Sequence, residues 1–389
     1  MKSLAITRSN LPVQGVRLLM EKSANIPDAI HLEVGEPNIN TPIHIREAAE
    51  NAMRDEFTHY TPNAGLTSLR EAIVKDLKQR YDIDANAKQT AVTAGAVNAL
   101  MISLLAIVDP DEEVLIPDPA WPNYELMLRM QGSIARKYTL DADRGFLPDL
   151  SELESLVNSK TKAILINTPG NPTGAVFHET KIKELLDFAT RHDLYLISDE
   201  VYDGIVFEEK HISPKTFDKE ERVISIFSFS KNYAMTGWRV GYAVASEKII
   251  STMTKIIEPV ISCAPAFAQK AAENALNTPD DFLISMANGY RERRDKAFDI
   301  LTKAKIKAYK PKGAFYMLID ISDAGLPSDE FAFALLEEEK VSVGPGSTFG
   351  ETTKDMIRIS LATEELDLLE GVSRICNFIL RCKEKVTSK

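Results

Sequence analysis

Cysteine is scarce. Cys263, Cys376 and Cys382 are the three in 389 residues, an odd and sparse set that fits a reducing compartment better than a disulfide framework. No Cys-x-x-Cys pair occurs, the six histidines are scattered, and there is no His-Glu-x-x-His helix, so no metal site is expected. A surplus of base is missing too. Against 57 acidic residues stand 46 Lys and Arg, a net charge of −11, which opposes phosphate backbones and predicts no nucleic-acid partner. Glycine (18) and proline (19) are near ordinary usage, which excludes collagen-like and disordered readings. MKSLAITRSNLPVQ has no apolar core of a secretion signal. The most membrane-like stretch, Ala91–Val108, carries Thr93, Gly95, Asn98 and Ser103 and stops at Asp109-Pro110. It reads as strand, turn and buried helix rather than a membrane span. A cytoplasmic protein with no membrane partner is expected.

What is present is a pattern of short β-branched runs alternating with amphipathic stretches. Strands are predicted at Gln89–Thr93, Glu113–Ile116, Ala163–Ile166, Leu194–Ser198, Val223–Ser228 and Gly241–Ala245. Within Lys181–His192, Ile182, Leu185, Leu186 and Ala189 fall on one helical face. Strand–helix alternation, with strands apolar at consecutive positions, predicts an α/β fold with a mostly parallel sheet covered on both faces. After about Asp280 the texture changes. A charged helix over Tyr290–Lys303 is followed by a strand opening at Gly-Ala-Phe-Tyr, a helix near Phe331–Lys340, a strand, Gly344-Pro345-Gly346, a strand at Met356–Ser360 and a last helix. This reads as a smaller α+β domain. We expect a large domain over 45–280 and a small one formed by 1–44 and 281–389.

Ligands of open α/β sheets bind beyond the carboxyl ends of the strands. Those ends carry Gly95-Ala96-Val97, Pro119-Ala120-Trp121, Asn171-Pro172-Thr173-Gly174, Asp199-Glu200-Val201-Tyr202 and Ser230-Lys231. Singly, each has an ordinary explanation: a solvated lysine, a capping aspartate, a turn, a core tryptophan. Together, in this order, they resemble the class I/II aminotransferases, pyridoxal-phosphate (PLP) enzymes of fold type I. The central signature is Ser228-Phe229-Ser230-Lys231 followed by Met235-Thr236-Gly237-Trp238-Arg239-Val240-Gly241. The resemblance runs from about Val13 to Ala362.

That resemblance implies roles. Lys231 would be the Schiff-base lysine and the general acid and base, a task suited to a lysine of lowered pKa. Asp199 would keep the pyridine nitrogen protonated, making the ring an electron sink. Tyr202 and Asn171 would hydrogen-bond the ring's 3-oxygen, and Trp121 would stack on its face. Ser228, Arg239 and the amides of Gly95, Ala96 and Val97 would hold the phosphate. Arg358 would clamp the substrate α-carboxylate, with the Gly35 amide, Trp121 and Asn171 beside it. Tyr60 would reach the phosphate of a neighbouring subunit, implying a homodimer with shared active sites. A cis bond before Pro172 is also implied. Amino-acid and 2-oxo-acid substrates, exchanged by a ping-pong mechanism through pyridoxamine phosphate, follow from the same resemblance.

One position departs. In the aspartate/prephenate-type branch a lysine often stands where this chain has Val97, and it helps recognise a second carboxylate. Acidic, aromatic, basic or broad donors are therefore all compatible. Fold and cofactor residues do not fix the reaction, so a PLP-dependent carbon–sulfur β-lyase is the first rival. A serine hydrolase of the Ser-x-x-Lys type is a distant one, lacking the Ser-Asp-Asn and Lys-Thr-Gly partners it needs. A PLP-sensing regulator usually carries an added DNA-binding domain, and none is expected here, with little sequence before Leu11 and an acidic chain.

Overall fold

The computed structural model describes residues 4–387. At its centre lies a seven-stranded sheet: β1 (Thr90–Thr93), β2 (Glu113–Asp118), β3 (Ile134–Thr139), β4 (Thr161–Asn167), β5 (Tyr195–Asp199), β6 (Val223–Ser228) and β7 (Gly241–Val244), in the order β1-β7-β6-β5-β4-β2-β3. Both faces are buried. Leu115, Ile164 and Leu196 pack on one side with Ile182, Leu185 and Phe188 of the helix Glu179–Arg191. Val114, Leu165 and Ile197 pack on the other with Leu100 and Leu104 of the helix Gly95–Ile107, and with Met253 of Glu247–Ile261. Neighbouring residues of a strand thus enter opposite cores, which is why the runs are apolar without alternation.

β7 alone runs against its neighbours, pairing antiparallel with β1 and β6. Its start, Gly241, therefore lies opposite Thr93 and Ser228, the ends of β1 and β6. The segment from Ser228 to Gly241 leaves the rim and returns to it, keeping Lys231 and Arg239 together. The edge strand β3 was not predicted. Its sequence, Ile-Ala-Arg-Lys-Tyr-Thr, is largely exposed and lacks the apolar run of an inner strand.

A second, four-stranded antiparallel sheet joins Gly344–Pro345, Met356–Ser360, Tyr316–Asp320 and Ala308–Tyr309. Ile30–His31 pairs in parallel with Val341–Ser342, so the N-terminal segment joins the C-terminal third. The charged helix begins ten residues before the expected Tyr290 and spans Asp280–Lys303. Leu283, Met286, Ala287 and Tyr290 give the added turns a buried face. The helix expected near Phe331 runs Ser328–Glu339 and closes on Lys340 in the left-handed region. The last helix spans Glu365–Thr387.

Candidate functional site

A cavity of about 320 Å³ opens at the carboxyl rim of the main sheet, walled on the far side by the helix Gly15–Ser23 and by Arg358 and Phe349. Lys231 sits in the single-turn helix Phe229–Asn232, whose start is capped by Ser228 Oγ accepting from the Ser230 amide at 3.1 Å. Its Nζ donates to the Gly35 carbonyl at 2.6 Å. Burial pushes the amine from its ordinary value down to about 8. Arg239 and Arg358 lower it further, while Glu36 and Asp199 pull the other way. A neutral amine is thus accessible near physiological pH.

Asp199 closes β5 and is buried. Tyr124 Oη donates to its Oδ2, and the Val201 amide reaches Oδ1 at 3.4 Å. Burial raises the carboxyl to about 6, against the pull of those two hydrogen bonds and with Glu200 adding to the rise. A cation placed beside it would restore the ionised form. Tyr202 is also buried, its hydroxyl 2.9 Å from that of Tyr316. Burial holds the Tyr202 phenol well above its usual range, with Tyr316 adding to the rise.

Asn171 follows β4 in a turn tied down by Asn167, whose Oδ1 accepts the Asn171 amide at 2.7 Å and whose Nδ2 donates to the Asp199 carbonyl at 2.9 Å. The Asn171–Pro172 bond is cis, as are Thr168–Pro169 and Asp118–Pro119. Asn171 Oδ1 accepts from Arg358 Nη1 at 3.0 Å, and the Glu33 carbonyl accepts from Nη2 at 2.6 Å. The guanidinium lies between the rings of Tyr316 and Phe349, 4.2 and 4.6 Å from their centroids. Its Nε is buried without a partner, and burial lowers the group's pKa. A buried donor with nothing to bond is costly, so this side chain is aimed at an acceptor still to arrive.

Arg239 marks the opposite end. It is exposed, with φ +56, and its Nη1 donates to the Thr236 carbonyl at 2.7 Å. Gly95 packs beneath it with φ +78, and a Cβ there would stand 2.4 Å from Arg239 Nη2. Ala96, Val97, Trp121 and Ser228 complete the lining expected at this rim. Trp121 meets Tyr124 edge to face at 5.5 Å. Gly35 meets Lys231 through its carbonyl rather than its amide. Tyr60 stands apart from the cavity and is 89% exposed.

Tyr124 as the partner of Asp199, Tyr316, Phe349 and Glu33 were not singled out for these contacts. Tyr316 was read only as part of the opening of a strand. Nothing local in the sequence links Tyr124 or Tyr316 to a residue 75 or 114 positions away. Among the described residues no cluster of metal-ligating side chains occurs, and no helix is long and apolar enough to cross a membrane.

The profile of the family described as aminotransferase class I and II matches residues 27–375. The chain is 40% identical to the aspartate aminotransferase of Pyrococcus abyssi, over 92% of this chain and 94% of that protein. It is 37% identical to aromatic-amino-acid aminotransferase 2 of Thermococcus litoralis, with the same coverage. Among solved structures, the aspartate aminotransferase of Thermus thermophilus with maleate superposes with a TM-score of 0.93 at 32% identity, covering 97% of this chain and all of that one.

Proposed function

The chain belongs to the class I and II aminotransferase family and is a PLP-dependent aminotransferase of fold type I; from that premise we propose that the cavity around Lys231 is its active site. The observation that carries this reading is one amine of lowered pKa flanked by a buried carboxyl and by two arginines at opposite ends of one cavity.

The side chains present fit the cofactor. Gly95 leaves room beneath Arg239 that a Cβ would fill, and Ser228, Arg239 and the amides of Gly95, Ala96 and Val97 would hold the phosphate. Asp199 would pair with the ring nitrogen, Tyr202 and Asn171 with the 3-oxygen, and Trp121 with the ring face. When bound, PLP supplies an aldehyde that condenses with amines and a ring that takes up the electron pair released at Cα. Arg358 holds the amino acid's α-carboxylate, directed by Asn171 and the Glu33 carbonyl. Lys231, in its neutral form, accepts the proton from the substrate Cα and later returns it as an acid. Asp199 keeps its negative charge opposite the ring nitrogen throughout. The amino group moves from an amino acid to a 2-oxo acid.

We also propose a homodimer. The Tyr60 turn is tied to the 258–263 segment by Thr61 N donating to Cys263 Sγ at 3.4 Å and Asn63 to Glu258 at 3.4 Å. Tyr60 on one of these tied segments and Val260 and Ile261 on the other are all exposed, an apolar surface suited to a second copy. The sparse, unpaired cysteines support a cytoplasmic setting. The Ile30–Val341 pairing supports a small domain built from 1–44 and 281–389 beside a large one over 45–280.

Borohydride reduction of the holoenzyme followed by peptide mapping tests the centre of this proposal. A pyridoxyl group is expected on Lys231, and a label on any other lysine would overturn the assignment. Incubation with an amino acid and no keto acid then separates the rival: a β-lyase releases ammonia repeatedly, whereas this enzyme stops after one half-reaction.

A further inference from the structure

Four cationic side chains line the cavity: Lys231, Arg239, Arg358 and Arg17. The proposed function uses the first three. Arg17 lies on the helix Gly15–Ser23, and its guanidinium has no ion pair or hydrogen bond among the described residues. Three acidic side chains share the lining: Asp199, which the proposed function uses, and Glu36 and Glu33, each with a hydrogen-bond partner away from Arg17. Glu36 accepts from the Thr236 hydroxyl, and Glu33 receives Ser23 Oγ at 3.3 Å and lies 2.9 Å from His31 Nδ1. Val97, on the same cavity, brings no charge.

The helix that carries Arg17 is held in place. Gln14, just before it, donates to Asn123 Oδ1, beside the turn that bears Trp121. Gly15 lies so close to the 345–348 loop that a Cβ there would stand 2.7 Å from Thr348 Oγ1. That loop leads into Phe349, the ring over Arg358. The wall bearing Arg17 is therefore continuous with the one bearing Arg358. A monocarboxylate would engage Arg358 and leave Arg17 idle. A dicarboxylate would engage both.

We propose that Arg17 recognises the side-chain carboxylate of an acidic substrate, making dicarboxylic amino acids and 2-oxo acids the preferred substrate class. The inference rests on Arg358 as the α-carboxylate site.

The test is binding of two unreactive acids of equal length, succinate and butyrate, to the holoenzyme, read from the cofactor's absorbance. Arg17→Gln should weaken succinate by roughly 10- to 100-fold, the worth of a charge-assisted hydrogen bond. Butyrate should change by no more than about twofold, because it lacks the second charge. The aspartate-to-leucine ratio of kcat/KM should fall in parallel, and Arg17→Lys should recover part of it. An unchanged succinate affinity, or an equal loss for both acids, would overturn the proposal. Arg358→Gln checks the underlying site separately, since it should weaken butyrate as well as succinate.

Discussion

The two arginines at the ends of the cavity make a controlled comparison. Arg358 is buried between two rings, fixed by Asn171 and the Glu33 carbonyl, and left with a buried Nε unpartnered. Arg239 is exposed, sits on a left-handed backbone and is held by a single carbonyl three residues before it. One end is complete within the chain and dry. The other is open to water. Electrostatic attraction is stronger where water is excluded, so the closed end can discriminate among small carboxylates. The open end suits a larger dianion bound through many weaker contacts, which is how we assign the phosphate. Asp199 lines the same cavity and acts on Lys231.

The largest effect should come from removing Asp199 while leaving both arginines intact. Asp199→Ala should retain PLP and amino-acid binding but lower kcat by about 10²–10³-fold, the scale of a lost electrostatic group in an active site. Stopped-flow measurement of the first half-reaction checks it. A near-normal rate would mean that the carboxyl, raised to about 6 by burial, does not serve the ring nitrogen.

Next in size is the exchange of one arginine at a time. Arg358→Gln should raise the amino-acid KM by roughly 10- to 150-fold, because a charge-assisted bond in a dry site is lost, with the PLP dissociation constant barely moved. Arg239→Gln should do the reverse, by a smaller factor because its site is solvated. If both variants weakened the same ligand, the division of the cavity into two anion stations would fail.

A third test reads the amine between them. With Lys231 Nζ at about 8, the rate at which the apoprotein captures PLP should rise about tenfold per pH unit up to that point and then level off. The same shift acts on stability. A base whose folded pKa is depressed holds fewer protons than in the unfolded chain between about 8 and its ordinary value. The cost is therefore full below pH 8 and is relieved as pH rises through that window. Lys231→Met should stabilise the apoprotein at pH 7 by on the order of 1–3 kcal/mol and much less near pH 10. Denaturant melts at the two values measure this, and a uniform effect at both would exclude the shifted amine as its cause.

What could be read from sequence follows the same divide. The inner strands were legible because burial on both faces forces β-branched runs, and the rim residues because they follow those runs directly. β3 was not legible, since an exposed edge strand needs no such pattern. The Ile30–Val341 pairing is two residues long on each side, too short to leave a periodicity. Lys231 and Arg239 were found through the resemblance that the Ser228–Gly241 segment bears to the family. The reversed β7 that returns Arg239 to the rim is a matter of topology, which local pattern does not encode. Tyr124 reaches Asp199, and Tyr316 reaches Tyr202, only once distant elements have docked.

The smallest effect asks why the Arg239 end is open at all. On the dimer proposal it is half a site, and Tyr60 of the partner subunit completes it; on the alternative, Tyr60 is merely an exposed turn residue of its own chain. Mixing inactive subunits separates the two. Lys231→Ala chains should be dead, and Tyr60→Ala chains should hold PLP weakly and work poorly when the cofactor is limiting. In a mixed dimer, the Tyr60→Ala chain keeps its lysine and receives an intact Tyr60 from its partner, so that site is whole. The other site collects both lesions. About half the sites of each mixed dimer should then behave as unaltered, a few-fold gain over either parent at low PLP and little gain at saturation. If Tyr60 acted within its own chain, no mixture could rebuild a site, and activity would only average the parents. Averaging, with subunit exchange verified by mass, would leave Arg239 as an end that is open for good and would remove the shared site from the proposal.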